Sequence, residues 1–137
     1  MIMNLRGKVL ASVAVVAVGF LILAGCSSTK GVITNLNAQE FSVKSQETGV
    51  ITLDVRTPGE FNQGHISGAM NIDVEATTFE NEVSKLDKSK SYAVYCHSGR
   101  RSGIATGQME KLGFVHLFNL QNGFSDWMSQ GMPVVTF

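Results

Sequence analysis

Cysteine is scarce in this chain. Cys26 and Cys96 are the only two among 137 residues. Two thiols so far apart offer no close pair for a structural zinc site. The three histidines, His65, His97 and His116, also lack the close spacing of a metal cluster, so no metal is expected. An excess of one charge is missing as well. Eleven basic residues balance eleven acidic ones, and no long basic run or basic–aromatic pattern occurs. Nucleic acid is therefore not an expected partner. Internal repeats and low-complexity tracts are absent, and a composition of 44% hydrophobic and 16% charged residues is that of an ordinary globular protein. The length suits one domain with a modest core.

The most apolar part of the sequence lies near its start. Arg6 and Lys8 form a short positive region, and Val9 to Leu23 form an apolar segment of signal-peptide length. It ends at Leu23-Ala24-Gly25-Cys26, which resembles the lipobox of bacterial lipoprotein signals. That resemblance implies cleavage just before Cys26 and lipid attachment at Cys26. Residues 1–25 then form a lipoprotein signal peptide, 26–31 a flexible lipidated tether, and 32–137 the folded domain. The alternatives are an uncleaved anchor or an ordinary secretory signal. Several acyl chains anchor stably where one is marginal, and basic residues ahead of the apolar segment favour export of the chain beyond it. The expected location is the periplasmic or cell-surface face of a bacterial membrane, held there through the N-terminal lipid. Without Arg6 and Lys8 the remaining chain carries about −2, which excludes attraction to polyanions as a main theme.

Beyond the tether, apolar runs alternate with helical patterns. Val32-Ile33-Thr34, Val50 to Val55, Met70-Asn71-Ile72, Tyr92 to Tyr95 and Val115 to Phe118 read as strands. Helices are expected over Ala38 to Gln46, after Thr57-Pro58-Gly59-Glu60, over Thr78 to Leu86, Gly103 to Leu112, and Gly123 to Ser129. Asn37 with Glu40 and Thr57 with Glu60 have the form of capping boxes, the second with Pro58 at the first helical position. Strands alternating with short helices predict an α/β fold with a mainly parallel central sheet and helices on both faces.

Cys96 closes the most apolar strand and precedes His97-Ser98-Gly99-Arg100-Arg101-Ser102 and a helix. If Cys26 carries lipid, Cys96 is left unpaired, and such a cysteine is either buried and inert or reactive. The second reading is favoured here. Loop N–H groups, a helix N-terminus and nearby arginines all lower a thiol pKa. Gly99 permits an inward turn of the backbone. Arg100 and Arg101 carry permanent charge, and Ser102 is placed to cap the helix. Asp54 and Arg56 end the neighbouring strand. They either support the loop and the substrate, or form a buried ion pair or a cap with Glu60. Phe124 and Trp127 read as core, and His65 as a structural hydrogen-bonding residue.

The segment C-H-S-G-R-R-S resembles the active-site loop of rhodanese-homology domains, which often reads C-x-S-G-x-R-S. Leu53 to Phe61 followed by Gly64 to Ala69 and Asn71-Ile72 resembles the family's first block. Leu120 to Phe124, Trp127 and Gly131-Met132-Pro133 resemble its last. The resemblance runs from about Ile33 to Val135. It implies a rhodanese-like fold and a sulfurtransferase mechanism. The Cys96 thiolate would take a sulfane sulfur from thiosulfate or a related donor and pass it on as a persulfide. Loop amides from His97 to Ser102 would stabilise the anion, Arg101 would help bind an oxyanion or hold the thiolate, and Arg100 would face solvent. The implied partners are small sulfur-containing anions or thiols, or a protein sulfur acceptor, and no cofactor is implied. A non-enzymatic persulfide carrier is the alternative. Cysteine phosphatases resemble C-x5-R, and here the sixth position after Cys96 is Ser102, which disfavours phosphate chemistry. His97 departs from the arginine often found after the cysteine, which would weaken binding of a doubly charged donor near neutral pH.

One test concerns the N-terminus. A Cys26→Ala variant is expected to stay unprocessed and to lose metabolic lipid labelling; unchanged labelling would overturn the lipobox reading.

Overall fold

The side chains of the central strand alternate between two separate cores, and this alternation fixes the architecture. The computed structural model describes residues 29–137. The expected signal peptide and the expected lipidation site Cys26 lie outside the described residues. Among the described residues the strands are β1 (Val32–Leu36), β2 (Val50–Asp54), β3 (Met70–Asn71), β4 (Ser91–Tyr95) and β5 (His116–Leu120). They interleave with helices α1 (Ala38–Ser45), α2 (Pro58–Gln63), α3 (Phe79–Val83), α4 (Arg100–Lys111) and α5 (Gly123–Ser129). Every strand pairing is parallel, in the order β1-β5-β4-β2-β3.

Along β4, Tyr92 and Val94 point to one core, and Cys96 continues the same phase. That core holds Leu53 of β2 and Val55 just after it, Phe79 and Val83 of α3, and Ala105 and Met109 of α4. Ala93 and Tyr95 point the other way, against Phe41 of α1 and Phe124 and Trp127 of α5. Helices therefore cover both faces, and β4 is apolar from Tyr92 to Tyr95 because neither face meets water there.

Tyr95 is fully buried, with Phe41 edge-on at 6.2 Å and Phe124 at 5.7 Å. Its hydroxyl oxygen accepts the backbone N–H of Ile66 at 3.0 Å. That bond ties the segment after α2 to the central strand.

Both capping boxes form as the sequence predicts. Asn37 accepts from the Glu40 N–H while Glu40 accepts from the Asn37 N–H, and Thr57 and Glu60 do the same. Other boundaries move. β1 runs on to Leu36 although Asn35 is polar, because the Asn35 side chain accepts from Asn119 on β5 at 2.9 Å. α3 stops at Val83 instead of Leu86. The N–H groups of Lys85 and Leu86 turn back to Glu82 and Val83, three residues earlier, and tighten the chain out of the helix. α4 starts at Arg100, three residues before the expected Gly103. After α5, Trp127 donates from Nε1 to the Pro133 carbonyl, and Val135 pairs antiparallel with His65. His65 is structural, as expected: it stacks on Phe61 at 3.9 Å and its Nδ1 lies 3.0 Å from the Phe61 carbonyl.

Tyr95→Phe leaves the Ile66 N–H unpaired in the interior. It is expected to destabilise the fold by about 1–3 kcal/mol, read as a lower urea midpoint at unchanged slope.

Candidate active site at the end of the central strand

The strand order creates a crevice. From β2 the chain crosses through α2 to β3 on one side, and from β4 it crosses through α4 to β5 on the other. The two connections leave in opposite directions from adjacent strands, and ligands bind at the carboxyl ends of strands at such switch points. Cys96 follows β4 there, and Arg56 follows β2.

The loop around Cys96 is held from two sides. The N–H groups of Phe124 and Ser125 donate to the carbonyls of Cys96 and His97 at 2.8 and 3.0 Å. With those carbonyls turned toward α5, loop amides are free to turn toward the sulfur. The Gly99 N–H donates to the Cys96 Sγ at 3.1 Å. Gly99 has φ +93°, and a Cβ there would lie 1.9 Å from the Gln121 carbonyl oxygen. Only glycine fits both the backbone and the space. Gly123 meets the loop the same way, since a Cβ would lie 2.3 Å from the His97 carbonyl oxygen. Sequence reasoning placed Gln121 to Gly123 in the C-terminal block and missed its support of the loop. The adjacent Gly123 and Phe124 were the available signal.

The left-handed turn at Gly99 lets α4 begin at once, and this corrects the role given to Ser102. Gly99 is the N-cap and makes no side-chain cap, while Ser102 is buried in the first turn. Its hydroxyl lies 3.5 Å from the Cys96 Sγ and 3.2 Å from the Gly99 carbonyl oxygen. Burial alone pushes the Cys96 thiol up. Hydrogen bonds from the Ser102 hydroxyl and from the backbone N–H groups of Ser102, Ser98 and Gly99 outweigh it, so the thiol sits below its ordinary value. Cys96 itself has no exposed surface.

Other predicted residues fall into distinct places. His97, Ser98 and Arg100 are not buried: His97 and Ser98 are exposed and Arg100 is exposed at the start of α4. Arg101, expected to serve the anion, forks onto the Glu60 carboxylate at 2.8 and 2.7 Å and reaches Glu75 at 3.2 Å. The Arg101 hydrogen bonds lead, against partial burial and with help from Thr57, in holding the Glu60 carboxyl at about 2. Of the two readings of Asp54 and Arg56, the buried ion pair is present. Arg56 donates to Asp54 at 2.6 Å and to the Gly64 carbonyl at 2.7 Å, and lies 4.2 Å above the Phe124 ring. It makes no ion pair with Glu60. Asn71, read only as a strand residue, donates to the carbonyls of Asp54 and Arg56 at 3.0 and 2.8 Å and braces the end of β2.

Beside the loop opens a cleft of about 340 Å³, lined by Arg56, Glu60, Gln63, Gly64, His97, Phe124, Met128 and Val134. Trp127 is core, as expected. Phe124 is buried too, but its ring edges the cleft.

A family model described as Rhodanese-like domain matches residues 37–130. The chain belongs to the rhodanese-like domain family. A sulfurtransferase of Allochromatium vinosum is 28% identical over 104 residues, covering 75% of this chain and 95% of that protein. A putative sulfur carrier protein of Bacillus subtilis, YrkF, is 36% identical over 93 residues, covering 68% of this chain and 49% of that one. Among solved structures, a rhodanese-related protein of Thermoplasma volcanium superposes with a TM-score of 0.68 at 29% identity, covering 76% of this chain and 99% of the other. The rhodanese-like fold expected from the sequence is thus the observed one.

Ser102 offers a direct electrostatic test. The thiolate is the alkylated species, so the pH of half-maximal iodoacetamide reaction reports the lowered thiol pKa. Ser102→Ala is expected to move that midpoint up. An unchanged pH profile would remove Ser102 from this role.

Proposed function

We propose that this rhodanese-like domain is a sulfurtransferase that carries sulfane sulfur on Cys96. The observation that carries this reading is the thiol at the end of β4, with the Gly99 N–H at 3.1 Å and the Ser102 hydroxyl at 3.5 Å. Such donors stabilise a thiolate, and equally a persulfide anion one atom longer. Membership of the family and the sulfurtransferase named among its relatives support the same reading.

With thiosulfate as donor, the Cys96 thiolate attacks the outer sulfur. The S–S bond of the donor breaks, and sulfite leaves with the electron pair. The new persulfide then yields its outer sulfur to a nucleophilic acceptor such as cyanide or a thiol, and the Cys96 thiolate is restored. The lowered thiol pKa favours the attacking thiolate, so the step invokes no separate base and no cofactor. From Cys96 to Arg101 the loop is one residue shorter than a C-x5-R phosphate loop, which favours sulfur over a tetrahedral phosphate. The lipobox-like segment ending at Cys26 supports a protein anchored on the periplasmic or cell-surface face of a bacterial membrane.

A second reading rests on burial. Because Cys96 has no exposed surface, a persulfide formed there would be sheltered, as suits a carrier that hands sulfur to a docked protein. Mass spectrometry after incubation with thiosulfate, followed by thiocyanate measurement with cyanide, separates the two. The enzyme gains one sulfur on Cys96 and turns over repeatedly, and Cys96→Ser loses both. A carrier gains the sulfur without multiple turnover. A thiol left unmodified by every sulfane donor would overturn both readings.

A further inference from the structure

The cationic side chains of the domain are sorted by type between its two ends. All strands are parallel, so every strand starts at one pole and Cys96 lies at the other. Val32, His116, Ser91 and Val50 stand abreast at the starting pole. The six lysines of the described residues all lie at this pole. Lys30 comes two residues before β1, Lys44 and Lys111 occupy the last turns of α1 and α4, and Lys85, Lys88 and Lys90 lie in the connection from α3 to β4. Direct contacts join these segments. The Val115 N–H donates to the Lys88 carbonyl at 3.4 Å, and the Val32 N–H to the Val115 carbonyl at 2.9 Å. A Cβ at Gly31 would lie 2.3 Å from the Phe114 carbonyl oxygen, just past α4. The three arginines stand at the opposite end, Arg56 after β2 and Arg100 and Arg101 at the start of α4.

Acidic residues divide the other way. Among the described residues, Glu47, Asp87 and Glu110 share the pole with the lysines. Glu47 is paired with Lys44 at 2.8 Å, and Asp87 accepts the N–H and the hydroxyl of Ser89. The other eight end or follow a strand, or sit in the first turn of a helix. One of them, Glu82, turns back to accept the Thr78 hydroxyl at 2.6 Å. Lys30, Lys85, Lys88, Lys90 and Lys111 are exposed and have no ion pair among the described residues. A small net charge thus conceals a cationic pole and an anionic one.

The cationic pole is also where the chain enters the domain. Cys26 and Lys30 are four residues apart, a span of at most about 14 Å when fully extended. Five-residue strands carry the sheet about 16 Å from that pole to the Cys96 end. A lipid at Cys26 therefore holds the lysines within reach of the headgroups, and the tether is too short to bring the opposite pole down.

We propose, on the reading that Cys26 carries lipid, that the lysine pole is a docking surface for a bilayer containing anionic phospholipid. The lysines lie against the phosphate headgroups, and the Cys96 end faces the aqueous compartment. The acyl chains supply attachment and the lysines supply orientation. Sulfur donors and acceptors then reach the site from solution and not through the bilayer.

The test uses the full chain, processed in a bacterial host and reconstituted in vesicles with a spin-labelled headgroup lipid as quencher. In a Cys96→Ser background, a fluorescent label is placed at Thr48→Cys or at Thr77→Cys. Both positions are exposed, the first between α1 and β2 at the lysine pole, the second between β3 and α3 at the other. On vesicles of phosphatidylglycerol and phosphatidylcholine, the label at 48 is expected to be quenched about threefold or more strongly than the label at 77. That ratio is expected to fall by about half or more in high salt, on phosphatidylcholine alone, and when Lys85, Lys88, Lys90 and Lys111 are all replaced by Gln. A ratio unmoved by the glutamines and by vesicle charge would overturn the docking and leave the lipid anchor standing. Quenching at 77 equal to or above that at 48 would overturn the orientation. Intact-mass analysis of the same preparation reports the lipid on Cys26, and its absence would overturn the anchor and the docking together.

Discussion

Two backbone hydrogen bonds hold the site in shape. The amides of Phe124 and Ser125 draw the carbonyls of Cys96 and His97 away from the thiol. If those carbonyls turned inward, the sulfur would face partial negative charge and its pKa would rise. Turned outward, they let the amides of Ser98, Gly99 and Ser102 supply partial positive charge at a buried position, where each hydrogen bond counts for more than in water. Gly99 and Gly123 make this possible by letting two turns approach to a distance that no side chain permits. The turn after β5 is thus as much a part of the site as the loop after β4.

The second constraint is charge pairing. Five charged side chains, Asp54, Arg56, Glu60, Glu75 and Arg101, lie around one small cleft. Arg56 pairs with Asp54, and Arg101 is shared between Glu60 and Glu75. Arg101 links the first turn of α4 to the first turn of α2, and Glu60 meanwhile caps α2 through Thr57. One carboxylate therefore joins helix capping, loop position and cleft electrostatics. The arrangement ties the Cys96 loop to the helix beside it.

The parts of this structure that were legible in the sequence are local ones. Both capping boxes, the apolar run of β4 and the placement of Cys96 at its end depend on residues within a few places of each other. The parts that were not legible depend on partners distant in sequence. Arg101 meets Glu60 across 41 residues, so its guanidinium could not be assigned from the loop alone. The early start of α4 and the new role of Ser102 come from the left-handed Gly99, a conformation fitted to the Gln121 carbonyl. Asn35 stays in β1 because Asn119 faces it across 84 residues. Asn71 reads as a short-strand residue until its two acceptors at the end of β2 are seen.

Cys96 continues the alternation of β4 into the same apolar cluster as Leu53, Val55 and Met109. Oxidative damage to a cysteine tracks both thiolate character and access to reagent. Here the two are separated, because the sulfur is chemically activated yet sterically sheathed. With no exposed surface, the sulfur meets a reagent only when the loop around it moves, so the opening of the loop decides which reagents react. Burial thus acts as a filter on chemistry as well as a contribution to the core.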